Sequence, residues 1–264
     1  MSEKLKNAPV YYALAQAQFN PVAAMAKYAA EIQDELRLAG YPVQERQDGV
    51  QFQLIGASAA NPPQPQIVHT WTMVSGDRRS GFILAPNAIT FHTTSYETRE
   101  EFLPRLMLGL EIVHRIARLE FVARLGLRYL DAVTPAEHEA VSAYLVPGVQ
   151  GVNFSARLSY QMSESVFDTD TGPLIDKGTL ISRVHRLNGP IGLPPDLQLN
   201  GLVLLEKFAT RPPAPHAVID TDHFVQGQMK IDLDALAAQT RRLHSTIKDV
   251  FGATVTPHAM KTWE

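Results

Sequence analysis

Two stretches of this chain follow the same plan, and that repetition constrains the fold more than any other feature. Gly81 to Phe91 and Ala217 to Phe224 both read as extended. Each leads through a polar turn into a helical pattern opened by a capping residue, Thr98 in the first copy (81–120) and Asp232 in the second (216–251). The plan predicts one α+β body made of two related halves, 1–147 and 148–264, packed as one integrated domain with Pro147-Gly148 at the boundary. With 264 residues, 45% of them hydrophobic, the chain can bury a sizeable core.

The remaining elements follow from periodicity and punctuation. Val10 to Phe19 alternates and starts with aromatics, which predicts a strand. Asn20-Pro21 reads as a cap with proline at the first helical position, and Met25, Tyr28, Ala29, Ile32, Leu36 and Ala39 space one buried face of a helix that Gly40 stops. Residues 43–55 read as a strand or a hairpin turning at Asp48-Gly49. Asn61-Pro62-Pro63-Gln64-Pro65 reads as a loop. Strands resume at Ile67 to Val74 and Phe82 to Phe91, joined by Ser75-Gly76-Asp77-Arg78. Phe102, Leu103, Leu106, Leu110, Val113 and Ile116 form the clearest helical stripe, with Pro104 and Gly109 against it.

From Phe121 the period changes to two. Phe121, Ala123, Leu125, Leu127 and Tyr129 share one face, and Val122, Arg124, Gly126, Arg128 and Leu130 the other. After a connection over 135–152 come strands at Asn153 to Phe167, Leu180 to Leu187, Gly201 to Phe208 and Ala217 to Phe224, broken by prolines, and a closing helix from Leu233 to Phe251. Strands in direct succession imply a mostly antiparallel sheet with helices packed on one face. A doubly wound dinucleotide fold is excluded by that order, and neither G-x-G-x-x-G nor G-x-x-x-x-G-K-[ST] occurs.

Composition narrows the chemistry. There is no cysteine, so disulfides, thiol nucleophiles and thiolate metal sites are excluded together. The formal net charge of -3 does not favour nucleic acid as a partner. The first residues lack a signal-peptide core and no apolar run is long enough for a bilayer, so the expectation is a cytoplasmic location, no membrane and no cofactor.

Three constellations could carry chemistry. Arg124 and Arg128, with Gly126 between them, share a strand face that could take a phosphate or carboxylate, guanidinium groups binding such anions bidentately. The competing reading pairs these arginines with Glu111, Glu120 or Asp131. Ser165-Val166-Phe167-Asp168-Thr169-Asp170 is similar to the nucleophile motif of haloacid-dehalogenase phosphatases, although that family opens with this strand and continues as a parallel α/β core. Asp220-Thr221-Asp222-His223 repeats the spacing, so Asp168, Asp170, Asp220, Asp222 and His223 are metal-ligand candidates. The competing reading makes Asp168 and Asp170 a hydrated hairpin tip and Asp220 and Asp222 a solvent-facing strand edge. His244 reads as a packing residue, and Trp71, Tyr96 and Trp263 as core or rim aromatics.

Three segments carry a resemblance: Ala8-Pro9-Val10 leading to Phe19-Asn20-Pro21, Arg124-Leu125-Gly126-Leu127-Arg128-Tyr129-Leu130-Asp131, and Leu243-His244-Ser245-Thr246-Ile247-Lys248-Asp249-Val250-Phe251-Gly252. In order and spacing the chain resembles a sporadically distributed, uncharacterised prokaryotic protein family, which usually has asparagine at the place of Asp131. The resemblance implies a cytoplasmic prokaryotic protein and supplies no catalytic residues; patchy distribution fits mobile defence or toxin–antitoxin loci. The expected function is a non-enzymatic binding or interaction protein, an accessory or antitoxin component of a defence system, with a protein partner encoded by a neighbouring gene. Two alternatives stand beside it: a metal-dependent phosphoesterase or nuclease using the acidic pairs, and a small-ligand carrier with a cavity between the closing helix and the sheet.

Overall fold

The computed structural model describes residues 7–52, 65–152, 154–156 and 158–264. Its strands are β1 (Val10–Phe19), β2 (Val43–Phe52), β3 (Pro65–Val74), β4 (Ser80–Ala85), β5 (Ala88–Thr93), β6 (Phe121–Val133), β7 (Tyr160–Asp170), β8 (Lys177–Gly189) and β9 (Ala214–Lys230). All pair antiparallel in a single sheet of order β2-β3-β4-β5-β1-β6-β9-β8-β7. The helices are α1 (Met25–Leu38), α2 (Arg99–Ala117), α3 (Glu206–Ala209), α4 (Leu233–Thr254) and α5 (Pro257–Trp263).

The repeated plan has a counterpart in this order. β1 and β6 pair at the centre; β5 flanks β1 and leads into α2, while β9 flanks β6 and leads into α4. Each helix is opened by a side-chain cap, Thr98 accepting from the Glu101 amide and Asp232 from the Ala235 amide. Strands on both sides of the 147/148 boundary hydrogen-bond into the same sheet, β6 pairing with β9 from Phe121 to Val133.

Alternation sorts the side chains onto two faces. Ala13, Ala15 and Ala17 of β1 and Leu125, Leu127 and Tyr129 of β6 meet Ile32 and Leu36 of α1, Leu106, Leu110 and Val113 of α2, and Leu243 and Ile247 of α4 in the main core. Burying each large aliphatic side chain there contributes about 1.5–3 kcal/mol. Gly109 explains itself by close approach, since a Cβ there would lie 2.5 Å from Cε1 of Phe82. The opposite face has no long helix, yet it is not bare. Tyr11, Tyr12, Leu130 and Val218 are covered by Leu202 and by Phe208 of α3, at the end of the proline-rich 190–209 segment. A third cluster around Tyr144, Val255 and Trp263 seats α5 against the connection after β6.

Several sequence expectations are corrected. α1 begins at Met25 after an Ala24 cap that makes no side-chain bond. Asn20 is used elsewhere: its Oδ1 accepts from the amides of Glu120 and Phe121, tying the end of β1 to the start of β6. Asp48-Gly49 runs straight through β2, paired with His69 and Val68, because a ladder partner outweighs a local turn preference. The end of the 43–55 prediction and the Asn61–Gln64 loop lie outside the described residues. The stretch from Phe82 to Phe91 is a hairpin, β4 and β5 turning at Pro86-Asn87. A bulge after Val122 moves that side chain into the main core, so the alternation holds only from Arg124 onward. β7 starts at Tyr160, later than predicted, with Asn153 outside the described residues. Gly201 to Phe208 is not a strand but a coil ending in α3.

Candidate functional site: the arginine–aspartate strip and the open sheet edge

On the face without a long helix, Asp220 of β9, Arg183 of β8 and Glu164 of β7 stand in one crosswise row, and Arg128 of β6, itself in register with Asp222, reaches Asp220 on the diagonal. Arg128 donates from Nε and Nη2 to both oxygens of Asp220, each at 2.7 Å. From Nη1 and Nη2 it also reaches Asp196 of the overlying segment, at 2.5 and 3.2 Å. Arg183 Nε bonds Glu164 at 2.6 Å, and its Nη1 stands 3.9 Å from Asp220. Signs therefore alternate from Glu164 through Arg183, Asp220 and Arg128 to Asp196. Burial works against the charge of Arg128, but the bonds and charges of Asp220 and Asp196 outweigh it and hold its pKa above the ordinary value. The hydrogen bonds of Arg128 likewise hold Asp196 below the usual carboxylate range.

Arg124 is held less tightly. Its guanidinium lies 4.3 Å from the centre of the Phe224 ring, 3.4 Å from Gln16 Oε1 and 3.5 Å from Asp222 Oδ2. Burial pushes Arg124 down and Asp222 up, and the long contact between them only partly offsets it. Gly126 does not leave an open floor for an anion. A Cβ there would sit 2.9 Å from Nη1 of Arg124, so the missing side chain makes room for that guanidinium.

The structure thus brings Arg124, Gly126 and Arg128 together, but with acids the sequence reading did not choose. Glu111 and Glu120 lie elsewhere, and Asp131, next to Leu130, points to the opposite face of β6. Asp220 is fully buried, which overturns its reading as a solvent-facing edge, and Asp222 is half-buried beside Arg124. Asp168 and Asp170 are exposed on β7, Asp170 pairing with Lys177 at 2.5 Å. β8 separates β7 from β9, so the two acidic pairs do not meet. His223 is fully buried on the helix face; its Nδ1 lies 3.0 Å from the Leu243 carbonyl and its Nε2 2.8 Å from the Thr169 hydroxyl. Both ring nitrogens are occupied. Among the described residues no group of three or more His, Asp or Glu is placed to hold a metal.

The hairpin tip after β7 is not simply hydrated. Gln239 of α4, fully buried, accepts from the Leu174 amide at 3.0 Å and donates to the Thr171 carbonyl at 2.8 Å. A similar dockwork surrounds His244, whose Nε2 lies 3.2 Å from the Tyr96 hydroxyl while its ring packs edge-on to Tyr129. Burial lowers the pKa of His244 to about 4 and raises that of nearby Asp131 to about 8. The sequence carried no signal for Asp196 or Gln239, because each acts across a long loop closure that no period or motif records.

What remains open is the sheet edge. Among the described residues β7 bonds only β8, and it is the last strand of the order. Of nine exposed large hydrophobic residues among those described, seven fall between 152 and 167: Val152, Phe154, Leu158, Tyr160, Met162, Val166 and Phe167. The other two, Leu38 and Val203, stand alone in sequence, so the apolar exposure is concentrated at one end of the molecule.

No protein-family model matches this chain, and no curated protein matches it. Among the described residues no helix is long and apolar enough to cross a membrane.

Proposed function

We propose that this is a non-enzymatic interaction protein whose polypeptide partner adds a strand to β7. The carrying observation is that four exposed apolar side chains, Tyr160, Met162, Val166 and Phe167, lie on an 11-residue strand paired along one side only, with Val152, Phe154 and Leu158 just before it. Open edges normally carry proline, charged side chains or a bulge to discourage pairing; β7 has neither proline nor bulge, and of its three charges Glu164 and Asp170 are paired within the sheet, with Arg183 and Lys177. Main-chain bonds to its free edge would supply affinity, and the alternating side chains specificity. Tyr160, Met162 and Val166 offer apolar contact on one face and Phe167 on the other, while exposed Asp168 favours a cationic residue opposite it.

The strip does not support the phosphoesterase reading, since Arg128 and Asp220 already satisfy one another. The extension to an accessory or antitoxin component of a defence system rests on the family resemblance and names the partner to try first, the product of the neighbouring gene. Co-expression with that product, followed by co-purification, is the test. The double variant Met162→Lys/Val166→Lys should weaken binding by about tenfold or more while its unfolding midpoint stays that of the wild type. A complex that survives the double variant, or the absence of any complex, refutes this reading.

A further inference from the structure

The same face has a second feature that the charged strip does not use and that shares only Tyr160 with the edge of β7. Between the 190–195 segment and the sheet lies a cavity of about 280 Å3. Leu187 of β8 and Val218 of β9 form its floor, and Leu193 with three prolines its roof. The Tyr11 hydroxyl pins this roof by donating to the Gly192 carbonyl at 2.7 Å. Prolines fix φ and bring no amide donor, so the roof is pre-formed and mostly apolar. Among the described residues no Lys, Arg, Asp or Glu lines the cavity.

Two imidazoles stand in these apolar walls. His216 is 3% exposed, and its Nδ1 lies 2.9 Å from the Ala214 carbonyl. A carbonyl can only accept, so Nδ1 carries the proton and Nε2 is a bare acceptor. His185 has its Nδ1 3.0 Å from the Tyr160 hydroxyl, and burial lowers its pKa, which keeps the ring neutral near pH 7. The Nε2 of each ring is buried with no hydrogen-bond partner among the described residues. A bare acceptor on His216 and a second unpartnered ring nitrogen on His185 beside one apolar cavity are a costly arrangement for a chain that gains nothing from it.

We propose that this cavity binds a small uncharged aromatic molecule with a single hydrogen-bond donor, of the phenol or indole class, whose donor meets an imidazole Nε2 while its ring fills the space between Leu187, Leu193 and Val218. Size selects the class: a cavity of about 150 Å3 already holds benzene, so this one takes one or two rings. Charge selects it again. An anion would find no cation in the walls, and a metal ion only two imidazoles. The unprotonated Nε2 of His216 rewards a donor and not an acceptor.

The test is calorimetric titration of the full chain with 4-methylphenol and with indole, and with toluene as the probe that lacks a donor. The expected result is saturable binding of at least one donor probe to one site, with toluene weaker by about tenfold. Leu193→Trp, a change on the partly exposed roof that leaves the sheet intact, should fill the cavity and abolish binding. His216→Phe should keep the ring shape and weaken the donor probe by about tenfold. No saturable binding of either donor probe overturns the proposal; so does unchanged affinity in Leu193→Trp, or toluene binding as tightly as 4-methylphenol. Because Leu193→Trp tests the cavity alone, the proposal can fail while the docking role of β7 stands.

Discussion

Arg128 ties three parts of the molecule together: its own strand, β9 through Asp220, and the overlying segment through Asp196. Arg128 and Asp220 are nearly out of solvent, so removing either leaves the other's charge only partly compensated, Arg128 by Asp196 and Asp220 by Arg183 at 3.9 Å. Arg128→Gln and Asp220→Asn should each cost about 3–5 kcal/mol, read from urea denaturation, and the double variant much less than their sum. Single losses below about 1 kcal/mol would show that the pair is not a lock. Asp131 makes the second residue-scale prediction. Its pKa of about 8 in the folded state stands above the ordinary value of 3.8, and burial is the cause. Over that window the folded chain keeps a proton that the unfolded chain has lost, so this contribution to stability is full below the lower value and falls as pH rises toward the upper one. Asp131→Asn mimics the protonated acid and should therefore gain stability over the wild type, more near pH 9 than near pH 4. An equal effect at both pH values would contradict the assignment.

At the scale of elements, β7 is an edge strand fastened from behind. Thr169 on β7 reaches across β8 to His223 on β9, and Gly178 of β8 makes the reach possible. A Cβ on Gly178 would lie 2.7 Å from Cγ2 of Thr171 and 2.9 Å from the Phe224 carbonyl oxygen, with no room to yield against backbone. Gly178→Val should destabilise by about 1–3 kcal/mol and speed amide exchange in β7 while α2 exchanges as before. Uniform acceleration over the whole chain would mean that the contact serves the global fold instead. The fastening suits a docking strand: the side facing a partner stays open while β8 and α4 hold the other side in register.

For the whole molecule, the decisive interface is the β6–β9 pairing, which joins strands from the two sides of the 147/148 boundary and continues under α2 and α4, themselves in contact. Splitting there would expose Leu125, Leu127 and Val225 of the shared core. Heat or urea should give one cooperative transition, and limited proteolysis at Pro147-Gly148 should release no pair of stable folded fragments. Two separately melting pieces would reject a shared core.

Local pattern was enough for whatever depends on neighbours in sequence. The full span of β1, the Thr98 and Asp232 caps, the buried stripe of α2 and the antiparallel α+β class were all legible, because period, capping chemistry and strand order are properties of short windows. The Arg124/Arg128 face was legible too, since alternation puts both side chains on one side. Tertiary structure alone decided what that face does. Asp220 looked like an exposed strand end until its strand took a central place between β6 and β8, where burial demanded a cation, and Arg128, diagonal to it on β6, supplied it. Gly126 looked like an opening until Arg124 folded over it, and Asp48-Gly49 looked like a turn until β3 offered ladder partners. For Asp220 and Asp48-Gly49 a contact distant in sequence outweighed a local preference worth about 1 kcal/mol or less, and Arg124 was drawn over Gly126 by Phe224 and Asp222 of the distant β9; such contacts are written in no window of the chain.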